Sequence, residues 1–154
     1  MQLNGSTRSV LFLCTRNAAR SQMAEAILRA HGGERFEVHS AGLEPGEIDP
    51  LAVQVMHESG ILLTNHRPKS AAEYLGRRSF TFAITLCDPS EDDCPRMFLG
   101  ALQHLYWPHP DPSLSVGTDE QRLDAYRRLR DRLSETIQGW LADVSSAPQP
   151  ALMA

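Results

Sequence analysis

Apolar and polar positions divide the chain into alternating segments, four of which have the pattern of a β-strand. Ser9–Leu13 is an almost uninterrupted apolar run, which is typical of a parallel strand that is buried on both faces. Phe36–Ala41, Phe80–Leu86 and Gln103–Trp107 are predicted as the second, third and fourth strands, the third because it is rich in aromatic and β-branched residues. Helical patterns lie between and after these strands.

Four segments are predicted to be helical. Apolar positions at helical spacing indicate a helix over Arg20–Ala30. The segment Asp49–Gly60 begins with an N-capping aspartate followed by proline and ends with a glycine, which favours a second helix. Ser70–Glu73 and Thr118–Gln121 have capping-box spacing, the first for a short helix and the second for the longest helix. The longest helix carries an apolar stripe that we expect to be core: Tyr126, Leu129, Leu133, Ile137 and Trp140.

The alternation of strands and helices predicts an α/β fold with a four-stranded parallel sheet and helices on both faces. With 154 residues, the chain has the length of a single domain. In sheets of this kind, ligands bind at the carboxyl ends of the strands. The segments that follow the predicted strands are therefore where functional residues are expected.

Composition and charge narrow the classes of function. Hydrophobic residues make up 42% of the chain and charged residues 22%, which is near the average of globular proteins. The net charge of −4 argues against a nucleic-acid-binding protein, and no apolar run approaches the roughly 20 residues of a membrane-spanning helix. The first residues lack a secretory signal pattern, so we expect a cytoplasmic location in which the three cysteines are free thiols at rest. No cofactor and no metal are expected.

The first strand is followed by a loop, Cys14–Ser21, in which five residues separate a cysteine from an arginine. Backbone N–H groups of such a loop can surround a tetrahedral anion, and the positive N-terminus of the next helix adds to the attraction. The same dipoles favour a thiolate at Cys14, while the planar guanidinium of Arg20 can bind two anion oxygens. Ser21 can donate a hydrogen bond to the thiolate. The residues expected to surround the oxyanion are Thr15, Arg16, Asn17, Ala18, Ala19, Arg20 and Ser21.

The stretch Val10–Ile27 strongly resembles the thioredoxin-coupled arsenate reductases, a family that shares its fold with the low-molecular-weight tyrosine phosphatases. The resemblance continues nearly to the last helix, through His39–Gly42, Asn65–His66, Thr85–Cys87, Cys94–Pro95, Trp107 and Asp111–Pro112. It implies a phosphatase-like arsenate reductase domain over residues 8–144. The sequences of residues 1–7 and 145–154 indicate flexible termini.

The loop alone does not separate a reductase from a phosphatase, because arsenate and phosphate are nearly isosteric. Cys87–Cys94 favours a reductase, since reduction of As(V) takes two electrons that further thiols can supply by thiol–disulfide exchange. Cys87 alone could be a core cysteine at a strand end, but Cys94 follows a polar run and does not fit an apolar core. A zinc site is disfavoured, because these two cysteines are farther apart than zinc pairs usually are and no second pair complements them.

The resemblance implies an order of events. Cys14 attacks the arsenic of bound arsenate, and Asp111 protonates the departing oxygen as a general acid. Cys87 then attacks the sulfur of Cys14 and arsenite leaves, after which Cys94 attacks Cys87 and the two form a disulfide. Thioredoxin or another dithiol reductant is expected to reopen it, with phosphate or sulfate competing with arsenate and the chain acting as a monomer. Without the resemblance, Asp111 could be an ordinary turn residue before proline.

Two positions depart from the usual loop of the family. Arg16 stands where a glycine is common, which restricts the loop backbone but adds a positive charge beside the anion. Ala19 stands where a further cysteine is often found.

Acidic side chains between Cys87 and Cys94 should raise the pKa values of these two thiols. A positive group or a helix N-terminus is therefore expected to offset the effect of the acidic side chains. These acidic residues are Asp88, Glu91, Asp92 and Asp93.

The resemblance also bears on how the loop is supported. Some members of the family bind potassium beside the loop through side chains that match Asn17, Glu25 and Ser40. A fourth potassium ligand in those members is an aspartate, and Lys69 occupies that position here. The ammonium of Lys69 could replace the cation beside Glu25, which would make potassium dispensable; alternatively, Lys69 projects into solvent.

Two other functions stay open. Related tyrosine phosphatases carry aromatic residues soon after the Asp-Pro pair, whereas Asp111–Pro112 is followed by Ser113–Val116. A non-catalytic oxyanion sensor would keep the loop, but it would have no need of the complete set of Cys14, Arg20 and Asp111. Arsenite release in a thiol-coupled assay would exclude the sensor.

Overall fold

The protein is described by a computed structural model that covers residues 7–63, 67–91, 94 and 98–146. Its strands are β1 (Arg8–Cys14), β2 (Phe36–Gly42), β3 (Phe80–Thr85) and β4 (Ala101–Tyr106). They form a parallel sheet in the order β2-β1-β3-β4. The four predicted strands and their parallel arrangement are confirmed, with small differences at the strand ends.

The helices begin where the sequence predicts. The described α-helices are α1 (Arg20–Gly32), α2 (Pro50–Glu58) and α3 (Asp119–Ser146), and short 3-10 helices lie at Gly33–Arg35, Ala71–Glu73 and Pro112–Leu114. Asp49 caps α2 by accepting a hydrogen bond from the Leu51 N–H at 2.9 Å. Thr118 and Gln121 exchange hydrogen bonds of 2.8 and 3.1 Å ahead of α3, as a capping box does.

The two faces of the sheet are covered differently. Val10 and Phe12 of β1 pack with buried residues of all three α-helices, including Tyr126 of the predicted α3 stripe. Side chains of alternate residues point to the opposite face, where the buried Leu11 and Leu13 pack instead with the short 3-10 helix Ala71–Glu73, Tyr74 and Phe98. Helical elements thus lie on both faces as predicted, but among the residues that the structure describes the second face carries only a 3-10 helix.

Several predicted features lie wholly or partly outside the described residues. The Asn65–His66 pair lies outside them, as do Asp92, Asp93 and Pro95. Residues 1–6 and 147–154 lie outside them too, so the domain limits and flexible termini stay predictions, although α3 continues through Ser146. None of the helices that the structure describes is long and apolar enough to cross a membrane.

The parallel pairing of β1 and β3 places two of the cysteines at neighbouring strand ends. Leu13 pairs with Thr85 in this ladder, and the N–H of Leu86 donates to the carbonyl of Leu13 at 2.8 Å. Cys14 and Cys87 directly follow Leu13 and Leu86. Both therefore emerge at the carboxyl edge of the sheet, where ligands bind in such folds.

Candidate active site

The Cys14–Ser21 loop forms a cradle between β1 and α1. The Cys14 sulfur is 2.8 Å from the hydroxyl of Ser21, and Cys14 is only 2% exposed. Because the Ser21 oxygen already accepts a hydrogen bond from Asn17 Nδ2 at 2.7 Å, its own proton is free to be donated to sulfur. The backbone N–H of Asn17 also points at the sulfur, at 3.3 Å. These donors stabilise a thiolate at Cys14.

The N-terminus of α1 also favours a negative charge in the cradle. Its N-cap residue is Ala19, whose side chain has no oxygen to accept from the first N–H groups of the helix. The first N–H groups of an α-helix lack partners within the helix. A helix beginning in this way attracts an anion through its unpaired donors and its dipole.

Arg20 is buried in the cradle, with 4% of its side chain exposed, and both terminal nitrogens of its guanidinium are hydrogen-bonded. It donates to both carboxylate oxygens of Glu91, at 2.5 and 2.8 Å, and to the carbonyl of His109 at 3.0 Å. Burial alone would lower the pKa of Arg20, but the hydrogen bond to Glu91 and the charges of Cys14, Asp111 and Glu91 outweigh it, so its pKa is raised. Arg20 is therefore a permanent cation beside Cys14.

Asp111 follows β4 in the chain and lies beside Arg20. One carboxylate oxygen accepts from the backbone N–H and the hydroxyl of Ser113, at 2.9 and 2.7 Å, and thereby caps the 3-10 helix Pro112–Leu114. The other oxygen lies 3.7 Å from the Arg20 guanidinium. The turn thus fixes the side chain with one oxygen directed to the arginine, which suits a proton donor to a bound anion.

A cavity of about 590 Å³ opens over this cradle. Cys14, Arg20 and Asp111 line it together, along with the exposed Arg16 and with Glu47. Arg16 does not adopt the left-handed backbone conformation that would call for a glycine; the described non-glycine residue that does is Asn17, with φ of 54°. The loop thus accommodates Arg16 without backbone strain.

The second and third cysteines form a disulfide. The Cys87–Cys94 bridge joins Cα atoms 5.8 Å apart, whereas Cys14 is a free thiol. Cys87 is fully buried and Cys94 half-buried. This differs from the expectation that all three cysteines are free thiols at rest, because the structure holds the oxidised form of the pair. The disulfide matches the pairing that the resemblance implies for the end of the relay.

The predicted loop supports converge behind the cradle. The side-chain oxygen of Asn17 accepts from Gln22 Nε2 at 2.9 Å and from the Lys69 backbone N–H at 2.8 Å. Ser40 donates to Glu25 at 2.5 Å, and the Lys69 ammonium lies 4.0 Å from the same carboxylate. The 14% exposure of the Lys69 side chain argues against its projecting freely into solvent. Within the described ranges, no three His, Cys, Asp or Glu side chains converge to hold a metal ion.

Comparison with known proteins identifies the family. The sequence profile of the low molecular weight phosphotyrosine protein phosphatases matches residues 9–149. The chain belongs to this family. Among its relatives there, the arsenate reductase of Bacillus licheniformis is 34% identical over 133 residues, which are 86% of this chain and 94% of that protein.

Solved structures of the family agree with the fold. An arsenate reductase in its phosphate-binding state superposes with a TM-score of 0.71 at 26% identity, covering 88% of this chain and 98% of the other. The thioredoxin-dependent arsenate reductase of Corynebacterium glutamicum superposes with a TM-score of 0.58 at 30% identity, covering 87% of this chain and 63% of that one. The predicted resemblance and fold class are confirmed.

Three groups that shape this active site could not be identified from the sequence. The sequence shows Glu91 only as one of several acidic loop residues and does not indicate its pairing with Arg20. Gly42 had no assigned role, yet a Cβ there would lie 2.7 Å from the backbone nitrogen of Asn17, so only glycine lets the loop pack against the end of β2. The His109 carbonyl, which holds Arg20, leaves no signal in a sequence because every residue has one.

Proposed function

We propose that this protein is an arsenate reductase that works through a relay of three thiols and is regenerated by a thioredoxin-type dithiol. The observation that carries the proposal is the joint placement of a thiolate cradle at Cys14 and a Cys87–Cys94 disulfide at the end of the adjacent strand. A phosphatase has no need of the second feature. Arsenate reductases among the relatives support the same conclusion.

Arsenate binds in the cradle with its oxygens facing backbone N–H groups and the Arg20 guanidinium. Thr15 to Ser21 surround it, and the planar fork of Arg20 binds two of its oxygens. Phosphate and sulfate compete because they have the same tetrahedral shape and charge. The exposed Arg16 adds a positive charge at the mouth of the cavity.

The first chemical step forms a bond between the Cys14 sulfur and arsenic. The thiolate attacks arsenic(V), and Asp111 gives a proton to the oxygen that leaves as water. Arg20, which stays protonated, balances the charge of the arsenate oxygens throughout.

The second step is the reduction. The Cys87 thiolate attacks the Cys14 sulfur, a sulfur–sulfur bond forms, and the electron pair of the sulfur–arsenic bond passes to arsenic, which leaves as arsenite. The Cys94 thiolate then attacks Cys87, releasing Cys14 and leaving the Cys87–Cys94 disulfide. Neighbouring strand ends at Leu13 and Leu86 favour the first exchange, and the half-buried Cys94 suits attack by an external dithiol such as thioredoxin. We place this cycle in the cytoplasm, with the protein as a monomer.

Phosphatase activity is the second candidate, and the complete set of Cys14, Arg20 and Asp111 favours it as a side reaction. These residues suffice to transfer a phosphoryl group to sulfur and to protonate a leaving alcohol. Neither step uses the disulfide pair.

The test measures arsenite production and aryl phosphate hydrolysis by the same purified protein. Rapid arsenite formation is expected when thioredoxin, thioredoxin reductase and NADPH are supplied, with slow aryl phosphate hydrolysis alongside. Cys87→Ser should lose sustained arsenate reduction and keep the hydrolysis, since Cys87 serves only the redox steps. Replacing thioredoxin with glutaredoxin and glutathione identifies the preferred dithiol.

The outcome that contradicts the proposal is hydrolysis of aryl phosphates far more efficient than arsenate reduction with either reductant. The phosphatase function would then be the main one. Absence of both activities, with phosphate still bound, would favour an oxyanion sensor.

A further inference from the structure

Two donors of the oxyanion cradle are bound by a side chain of the protein itself, that of Glu91. Both oxygens of Glu91 accept from Arg20, at 2.5 and 2.8 Å, in the bidentate geometry of an arginine–carboxylate pair. One of them also accepts from the hydroxyl of Thr15 at 2.8 Å, and the other from the backbone N–H of Asp88 at 2.7 Å. Two of these donors, Arg20 and Thr15, belong to the loop that would bind the oxygens of arsenate.

Glu91 in this position is a permanent anion. Burial would raise the pKa of its carboxyl, but hydrogen bonds from Arg20, Asp88 and Thr15 lower it to about 2. A charged carboxylate and a tetrahedral oxyanion cannot share one guanidinium fork. Whatever holds Glu91 in the cradle therefore competes with substrate.

The disulfide confines Glu91 to a short closed segment. Cys87 and Cys94 are bridged, and Glu91 lies between them. A tight turn follows Cys87, in which the Glu91 N–H donates to the carbonyl of Asp88 at 3.0 Å and the Ser90 N–H donates to the Asp88 carboxylate at 2.9 Å. The bridge and the turn together direct the Glu91 side chain at Arg20.

We propose that Glu91 is a redox-linked plug, which occupies the oxyanion site while Cys87 and Cys94 are bridged and leaves it when they are reduced. The inference builds on the proposed function, in which the bridged form is the last state of each turnover. In that state Cys14 is again a free thiol, but no resolving thiol is available to it. Arsenate admitted then would form an adduct with Cys14 that could not be reduced. The plug holds the site closed until the dithiol has been restored.

The plug requires thermodynamic coupling in both directions. If bridging weakens anion binding by some factor, anion binding must shift the Cys87–Cys94 equilibrium towards the dithiol by the same factor. We expect a coupling of about tenfold or more, within the usual range between linked sites. A tenfold effect corresponds to a rise of about 30 mV in the reduction potential of the disulfide at saturating phosphate.

The experiment measures the dissociation constant of inorganic phosphate by calorimetry, for the full chain in its reduced and bridged forms. The disulfide is verified by peptide mapping. Bridging is expected to weaken phosphate binding about tenfold or more in the parent protein. Glu91→Gln should abolish most of this difference by strengthening binding to the bridged form, because the neutral amide is a poor partner for Arg20. Phosphate should raise the reduction potential of the parent but not of Glu91→Gln.

Glu47→Gln is the matched control, since Glu47 lines the same cavity without being one of the Arg20 partners named above. Loss of its charge should change phosphate affinity by the same factor in both redox forms. Equal phosphate affinity of the two forms of the parent would overturn the proposal, as would Glu91→Gln behaving like Glu47→Gln. The assay involves no arsenate turnover, so its failure leaves the reductase function intact, and a failure of arsenate reduction leaves the coupling testable.

Discussion

At the residue scale, Asn17 accounts for much of the loop's shape. It is fully buried and takes the left-handed backbone conformation, which asparagine tolerates better than most side chains. Its amide donates to Ser21 and accepts from Gln22 and from the Lys69 backbone, so both of its ends are satisfied. A single side chain thus links the cysteine loop, α1 and the segment that follows α2.

Lys69 carries a prediction about potassium. Its ammonium lies 4.0 Å from the buried Glu25 carboxylate and donates to the Arg67 carbonyl at 3.0 Å. Both are oxygen groups that a bound cation could also contact. Burial lowers the pKa of Lys69, while the charge of Glu25 opposes that effect. We expect arsenate reduction to be equal in sodium and potassium salts at matched ionic strength, and Lys69→Asp to make it potassium-activated.

The control for this prediction is Arg77→Asp, which makes the same charge change at an exposed position. It should show no potassium response. Activation of the parent protein by potassium would refute the tethered-cation role of Lys69.

Residue-scale prediction from the sequence reaches residues that are close along the chain. Cys14, Arg20 and Ser21 fall within one loop, so their spacing predicts a cradle, and the structure places the Cys14 sulfur beside the Ser21 hydroxyl. Glu91 could not be found in this way, because it lies 71 positions from Arg20 and its acidic neighbours resemble a solvated loop. In the bridged form Arg20 balances the charge of Glu91; the positive group expected beside the reduced thiols stays a prediction.

At the scale of elements, Asp49 connects three of them. Its carboxylate caps α2, its backbone N–H donates to the carbonyl of Ala18 in the cysteine loop at 3.0 Å, and it accepts a hydrogen bond from the hydroxyl of Tyr126 in α3. Burial, followed by the hydrogen bond to Asp49, raises the pKa of Tyr126. The cap that the sequence predicted therefore also connects the loop to the last helix.

Tyr126→Phe tests this connection. Removing the hydroxyl leaves the Asp49 carboxylate without one donor and should lower the free energy of unfolding by about 1–2 kcal/mol. For a chain of this size, that is a fall in the melting temperature of roughly 2–8 °C. Thermal unfolding by circular dichroism measures it.

Tyr74→Phe is the comparison, because the Tyr74 hydroxyl bonds to His39 in a partly exposed pair on the other face of the sheet. Its effect should be smaller. Equal losses of unfolding free energy in the two variants would show that the Tyr126–Asp49 bond stabilises the fold no more than the partly exposed Tyr74–His39 bond does.

Element boundaries were largely predictable, whereas the cover of the second face was not. Apolar runs and caps identify β1, α2 and α3 because each signal is local. The 3-10 helix Ala71–Glu73 is too short to show a period, so the sequence did not reveal that it replaces an α-helix over Leu11 and Leu13. Tertiary packing, not local pattern, decides that arrangement.

At the scale of the whole molecule, the structure corresponds to one state of the proposed cycle. The Cys87–Cys94 disulfide and the free Cys14 are what remains after arsenite has left and before the dithiol acts. The pairing of Glu91 with Arg20 belongs to the same state. Substrate entry and chemistry then require that the segment between the two cysteines rearrange on reduction.

The most direct test of the central claim is the amount of arsenite that Cys94→Ser releases with thioredoxin present. The account predicts about one equivalent per protein, followed by arrest with Cys14 and Cys87 bridged, because the last exchange needs the Cys94 thiol. Peptide mapping after arsenate treatment identifies the bridge, and Cys14→Ser should release none. Sustained thioredoxin-driven turnover by Cys94→Ser would contradict the three-thiol relay.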